Sequence, residues 1–276
     1  MKNEMNEMQL MMSEMVKWFH SFCQRNDIRY YMVGGTMLGA VRHNGFIPWD
    51  DDIDVGIPRK DYERLLKNKN QWLYSEKKYY IESYLDNNKD FEFRYAKVYD
   101  TQTTLIENCR SRTKRGIFID VFPLDGIGDN KEEALNNYSS IQKYVQFLLT
   151  RTCKVKKSRT LTKNLVIIAS RLIPNFIIDN KKIISKINTL CSVRDFDTSM
   201  FVGNLVGMWG AKEIMPREFF GKPTLYKFED TELYGPEKYD DYLKNLYNNW
   251  RQLPPLEKQK SDHNFLFLDL HKPYSK

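Results

Sequence analysis

Residues 30–61 read YYMVGGTMLGAVRHNGFIPWDDDIDVGIPRKD, and the order of elements in this stretch decides the fold. Tyr30–Val33 is a short apolar and aromatic run of strand type, stopped by Gly34-Gly35. Glycines there let the backbone turn sharply, approach a ligand closely and open a helix at Thr36. The unpaired amides of a helix start, together with the helix dipole, favour a phosphate, so Gly34, Gly35 and Thr36 are candidate phosphate-binding residues. Good helix formers run from Thr36 to Val41, and Gly45 and Pro48 end the element. In the next run, from Asp50 to Ile57, Asp52 and Asp54 alternate with Ile53 and Val55. A strand with that period shows both carboxylates on one face and buries the apolar residues on the other.

Two carboxylates side by side on a rigid strand repel unless a cation neutralises them. An all-oxygen set suits Mg²⁺ or Mn²⁺, which would also hold substrate phosphates. A phosphate cradle beside a metal-carboxylate comb is the equipment of phosphoryl transfer, where catalysis is mostly positioning and charge neutralisation. An EF-hand reading of Asp50, Asp52 and Asp54 fails, because Val55 stands where glycine is required and Asp61 where a bidentate glutamate belongs.

Residues 34–63, GGTMLGAVRHNGFIPWDDDIDVGIPRKDYE, closely resemble the signature of the LicD family of phosphorylcholine transferases, which is related to the fukutin-type transferases. The resemblance continues in GIFIDVFPLDG (116–126) and, more loosely, in the C-terminal third. It implies a nucleotidyltransferase-like fold and transfer of a phospho-alcohol from a CDP-activated donor to a glycan. In such folds a third acid comes from a neighbouring strand, and Asp120 fills that place. A lone carboxylate within the apolar run GIFIDVFPL is costly unless paired or bound to a metal, so Asp52, Asp54 and Asp120 are the expected catalytic and metal-binding residues. Asp120 would be a metal ligand, the general base for an attacking hydroxyl, or both. Pro123 suggests that its strand ends at a sheet edge, with a turn at Asp125-Gly126.

Further candidates surround this set. Phe91–Tyr99 alternates as a strand, and Lys97 interrupts its aromatic face, which points to a role in neutralising donor phosphate. Arg42 is a second candidate for phosphate, the alternative being a pair with Asp50 or Asp51 that holds the loop. Trp49 either stacks on a base or choline cation or wedges the loop. Arg59 either contacts a phosphate or sits solvated in a first helical turn, and His263 either approaches the site, as the resemblance implies, or is simply solvated.

The chain of 276 residues carries a formal charge of +7, which fits a nucleotide, an anionic glycan or an anionic membrane surface without choosing among them. No zinc-finger, RNP or basic-zipper pattern appears, so nucleic acid is not an expected partner. Cys23, Cys109, Cys153 and Cys191 form no CxxC pair, which fits buried thiols in a reducing cytoplasm. The N-terminus lacks the apolar core of a signal peptide, and no run approaches the roughly 20 apolar residues of a membrane span. A cytoplasmic protein is expected, in peripheral contact with the inner membrane face if its basic segment reaches lipid.

Met5, Met8, Met12, Met15, Phe19 and Phe22 recur at helical spacing and predict a helix over residues 4–25 that packs on the sheet. Helices are also predicted over 61–68 and 237–250. Between Ala134 and Ile178 there is no acid, while Lys143, Arg151, Lys154, Lys156, Lys157, Arg159, Lys163 and Arg171 are basic. Two readings stand: a helical insertion lying on an anionic membrane, or a helical pair packed on the core whose basic loop grips an anionic acceptor.

The expected architecture is α/β (α+β), a nucleotidyltransferase-like mixed sheet flanked by helices. Residues 1–130 form the catalytic core, 131–200 a basic, mainly helical insertion, and 201–276 a segment completing the core. The expected reaction moves phosphorylcholine from CDP-choline to a hydroxyl of a lipid-linked or cell-surface glycan, such as a teichoic acid or lipopolysaccharide precursor, and releases CMP. Ribitol or glycerol phosphate transfer, nucleotidyl transfer to a small molecule or RNA, and ligand binding without turnover are the alternatives.

Overall fold

The computed structural model describes the chain except for residues 1–5, 87, 89, 109–113, 154, 156–159, 173–178, 262–264 and 275–276. Helix α1 (Glu7–Arg25) opens with a capping box in which Asn6 and Gln9 each accept from the other's backbone N–H. Its Met8, Met12, Met15, Phe19 and Phe22 are buried, as their spacing predicts, while Met5 lies outside the described residues. Strand β1 (Tyr31–Met32) leads into α2 (Gly34–His43), which ends at Asn44 in the left-handed conformation. Strand β2 (Asp54–Pro58) runs directly into α3 (Arg59–Trp72). Strands β3 (Tyr79–Glu82), β4 (Ala96–Asp100), β5 (Thr104–Glu107), β6 (Lys114–Arg115) and β7 (Phe118–Gly128) follow. Then come α4 (Lys131–Thr152), α5 (Leu161–Leu172) and α6 (Asn180–Cys191). The chain continues with β8 (Phe201–Gly203), β9 (Met215–Pro216), the hairpin β10 (Thr224–Phe228) and β11 (Thr231–Gly235), α7 (Tyr239–Tyr247) and β12 (Phe265–Asp269).

The architecture is the mixed α/β fold that the sequence predicts, and β7 is its axis. Strand β2 runs parallel beside β7, from Asp54 opposite Asp120 to Pro58 opposite Leu124. On the other side, antiparallel β4 covers Phe118–Val121 and antiparallel β8 covers the end from Asp125 to Gly128. Strands β1 and β3 extend the sheet beyond β2 and β4. Helices α4 and α6 bury Tyr138, Ile141, Val145, Ile184 and Ile187 and pack on β7. Each such side chain contributes roughly 1.5–3 kcal/mol on leaving water, which stabilises helices that would be marginal alone.

Several boundaries differ from the sequence reading. Helix α2 opens at Gly34 instead of Thr36, and β2 begins at Asp54, so Asp52 precedes the strand. Strand β4 starts only at Ala96; before it the chain bends, and Arg94 donates to Val206 O at 3.1 Å. The largest correction concerns Pro123, which does not end its strand, and Asp125-Gly126, which does not turn. Asp120 N donates to Ile53 O on the β2 side, so by the alternation of a strand the nitrogen of Pro123 faces the opposite side. There it meets the gap where β4 has ended and β8 has not begun, and a missing N–H costs no ladder bond.

Cys23 and Cys191 are buried thiols, Cys153 is half-buried, and Cys109 lies outside the described residues. Among the described residues, no helix is long and apolar enough to cross a membrane.

Candidate active site

The corner between β1, α2 and β2 brings the glycine pair against the aspartates. Gly34 has a φ of +54°, which L side chains rarely adopt. A Cβ on Gly34 would come within 3.2 Å of Asp54 Oδ2, and one on Gly35 within 2.9 Å of Asp50 Oδ2. The close approach of two carboxylates therefore explains both glycines. Thr36 Oγ1 accepts from Asp54 N at 2.8 Å and ties α2 to the start of β2.

The phosphate cradle expected at Gly34, Gly35 and Thr36 is partly filled by the protein itself. Gly34 N donates to the hydroxyl of Tyr242, on α7, at 2.9 Å. The Asp50 carboxylate stands over Gly35, where the helix N-terminus favours an anion. Phenol and carboxylate thus occupy two of the positions that the sequence assigns to phosphate.

In front of this corner lies a cleft of about 490 Å³. Gly35, Asp50, Asp52 and Asp54 line it, together with the aromatic side chains of Trp49, Trp209, Tyr247 and Trp250. Arg42, Lys258 and Lys260 add positive charge to the same cleft. Arg42 does not take the loop-holding role weighed for it. Its Nη1 donates to Trp250 O and its Nε to His43 Nε2, both at 3.0 Å, leaving Nη2 without a protein partner among the described residues. Trp49 packs edge-on to His43, at 6.4 Å between ring centres, with part of its surface on the cleft.

Asp120 lies behind the cleft instead of lining it. The sheet register sets Asp54, Asp120, Lys97 and Glu82 side by side across β2, β7, β4 and β3. Lys97 is only 1% exposed. Its Nζ lies 3.0 Å from Asp120 Oδ1 and 3.4 Å from Glu107 Oε1, over the rings of Phe118 and Phe93. Burial lowers the basicity of this ammonium, but Asp120 and Glu107 outweigh it and hold the pKa above its ordinary value. Lys97 therefore neutralises the third carboxylate, which corrects its expected role on donor phosphate. The row ends in Glu82, which accepts from Arg115 Nε at 2.6 Å.

Electrostatics mark the same corner. Burial raises the Asp54 carboxyl well above the usual range, and the charges of Asp52, Asp120 and Asp50 raise it further. Burial raises Asp120 to about 6, with Lys97 opposing the shift. The approach of Lys97 to Asp120 Oδ1 lacks hydrogen-bond geometry, so this buried oxygen has charge pairing without a hydrogen bond. Crowded oxygens of this kind suit a hard divalent cation. Carboxylate oxygens of Asp50, Asp51 and Asp52 also lie within 4.8 Å of one another, so among the described residues a further acidic group that could hold a cation starts earlier in the chain than the predicted trio.

One further expectation changes, and another falls outside the described residues. Arg59 contacts no cleft: its Nε and Nη2 donate to Asp125 at 2.6 and 2.8 Å and its Nη1 to Asn188 at 3.1 Å, all buried. This pair locks α3 to β7, so Arg59 is a structural cation and neither a phosphate ligand nor a solvated residue. His263 lies outside the described residues.

Sequence reasoning missed the far wall. Trp209, Tyr247 and Trp250 come from the C-terminal third, and Trp209 and Tyr247 meet edge to face at 4.7 Å. Glu213 fixes this wall by accepting from Trp209 N at 3.1 Å, and burial raises its carboxyl to about 8. The available signal was the pair Tyr247 and Trp250, three residues apart at the end of a predicted helix, which helical packing alone did not require.

A glycine-opened helix thus stands beside an aspartate-bearing strand, with another aspartate on the adjacent parallel strand, which is the arrangement expected of a nucleotidyltransferase-like fold. Residues 27–153 match the family model described as LicD/FKTN/FKRP, nucleotidyltransferase domain. The lipopolysaccharide cholinephosphotransferase LicD of Haemophilus influenzae is 29% identical over 265 residues, covering 95% of this chain and 97% of that protein. Shorter similarities join the chain to the ribitol 5-phosphate transferase FKRP of Homo sapiens, 53% identical over 34 residues, 12% of this chain and 7% of that one. The mannosyltransferase regulator 4 of Saccharomyces cerevisiae is 31% identical over 74 residues, 27% of this chain and 6% of that one.

Proposed function

We propose that the protein transfers a phospho-alcohol, phosphorylcholine from CDP-choline, to a hydroxyl of a cell-surface glycan precursor and releases CMP. The observation that carries this reading is the meeting of Asp52 and Asp54 with Arg42 and an aromatic wall in one cleft. The near full-length similarity to a lipopolysaccharide cholinephosphotransferase and the local similarity to a ribitol 5-phosphate transferase support it.

In this reading Asp52 and Asp54 hold Mg²⁺ or Mn²⁺, and the crowding that raises the Asp54 carboxyl is relieved by the cation. When bound, the metal supplies charge neutralisation for the donor pyrophosphate. Arg42 Nη2 contacts the same pyrophosphate, and Trp49, Trp209 and Trp250 provide faces for the quaternary ammonium or the base. The acceptor hydroxyl oxygen bonds to the alcohol-bearing phosphorus, and the bridging P–O bond to CMP breaks. The hydroxyl proton passes to a carboxylate on the cleft floor. Asp120, held by Lys97 behind the cleft, acts as a positioning carboxylate beside Asp54 instead of as the base.

The test is product identity. Protein is incubated with Mg²⁺, a glycan acceptor and, separately, CDP-choline, CDP-ribitol and CDP-glycerol. CMP from CDP-choline is the expected product. CMP from another donor alone would reassign the alcohol, and pyrophosphate release from a nucleoside triphosphate would replace this reading with nucleotidyl transfer.

A further inference from the structure

Helix α5 carries its apolar stripe on the wrong side for a helix that packs only on its own protein. Ile167 and Ser170 are buried, and the helix is tied down by Arg151 Nη1, which donates to Ser170 O at 2.6 Å, and by Ser170 Oγ, which donates to Thr150 O at 3.3 Å. Leu161, Leu165, Ile168 and Leu172 recur at spacings of four, three and four, and are 75%, 54%, 45% and 78% exposed. At roughly 100° per residue they share about 60° of the circumference, and Ser170 lies almost diametrically opposite the stripe. The outward face is therefore a continuous apolar ridge. Within one amphipathic helix, four large apolar residues aligned away from the anchored side form a surface that needs a partner.

The surrounding chain states the chemistry of that partner. No acid occurs from residue 134 to residue 178, while eight lysines and arginines do, seven of them besides the buried Arg151 that holds Ser170. A protein groove that receives an apolar ridge imposes no such charge bias, whereas an anionic lipid surface attracts basic segments and accepts an apolar ridge at the headgroup boundary. The helix has 12 residues, too few to span a bilayer, which fits a position in the plane of the interface.

We infer that α5 docks this protein onto an anionic membrane surface, with Leu161, Leu165, Ile168 and Leu172 inserted among the lipid headgroups. The inference stands on α5 and on the charge of the chain around it, and is independent of the reaction in the cleft. Reversible attachment of this kind depends on both apolar insertion and negative lipid, and salt weakens it.

The experiment is flotation of the full chain with phosphatidylglycerol-containing vesicles and with pure phosphatidylcholine vesicles, at low and high salt. Leu165→Glu/Leu172→Glu is run beside Leu165→Met/Leu172→Met, with thermal melts confirming that both variants are folded. The expected result is flotation with phosphatidylglycerol only, reduced by salt, lost about tenfold or more in the glutamate variant and kept in the methionine variant. Flotation with neither vesicle, equal flotation with both, or flotation unchanged by the glutamate pair would overturn the inference. A chain that does not float but dimerises through α5, and becomes monomeric in the glutamate variant, would assign the ridge to a second copy and overturn it equally.

Discussion

Asp54 and Asp120 are direct neighbours on the parallel strands β2 and β7, and the Lys97 ammonium lies 3.0 Å from Asp120 on the far side. The sheet thus builds two adjacent carboxylates with one internal cation. Asp54, at the cleft end of the row, is the member with no such cation on the sheet. The account predicts that Asp54→Asn raises the melting temperature in the presence of a chelator, because one repelling charge is removed. Mg²⁺ should stabilise the parent and not the variant, and differential scanning calorimetry with and without Mg²⁺ reads both effects. A variant that melts below the parent under chelation would contradict the crowding argument.

Lys97→Met keeps the volume of the side chain and leaves Asp120 buried without its cation. Removing one partner of a buried pair costs about 3–5 kcal/mol. Urea unfolding should show a loss of that size, with reduced turnover following from instability. If Lys97 instead gripped donor phosphate, stability would be unchanged and only the KM for donor would rise.

Tyr242→Phe removes the acceptor of Gly34 N, a backbone donor in a buried setting. An orphaned buried donor costs about 1–3 kcal/mol. The midpoint of urea unfolding should fall accordingly. No change in midpoint would mean that water replaces the phenol and that α7 does not hold the glycine turn.

Glu213 gives a pH signature. Its carboxyl is raised from 4.5 to about 8 by burial. Between those values the folded protein keeps a proton that the unfolded chain has lost, so stability falls as pH rises through this window. The loss at pH 7 has an upper bound of about 3 kcal/mol. Glu213→Gln keeps an acceptor for Trp209 N and cannot ionise. It should therefore melt like the parent near pH 4.5 and increasingly above it toward pH 8. Parallel melting curves across the range would contradict the raised pKa.

The elements of the central corner were legible because local rules dictate them. Gly34-Gly35 breaks a strand, the alternation of Asp54 with Ile53 and Val55 marks β2 although Asp52 falls before it, and Asp120 stands alone in an apolar run. The fate of the basic residues was not legible, since a lysine on an aromatic face reads alike whether it binds phosphate or a buried carboxylate. Only the register of β4 against β7 brings Lys97 to Asp120, and only the length of β7 brings Asp125 to Arg59. Pro123 misled for the same reason: its tolerance depends on where two other strands stop and start. The aromatic wall was hidden because Trp209, Tyr247 and Trp250 lie more than 150 residues from Asp52 and Asp54 in sequence.

The central claim is that the Asp52/Asp54 cleft carries the phosphoryl transfer. The most direct measurement is CMP release from CDP-choline with Mg²⁺ and a glycan acceptor, comparing the parent with Asp54→Asn that melts no lower than the parent. The account predicts steady CMP release by the parent and a loss of about a hundredfold or more in the folded variant. CMP release undiminished in Asp54→Asn would contradict it and move the chemistry elsewhere in the chain.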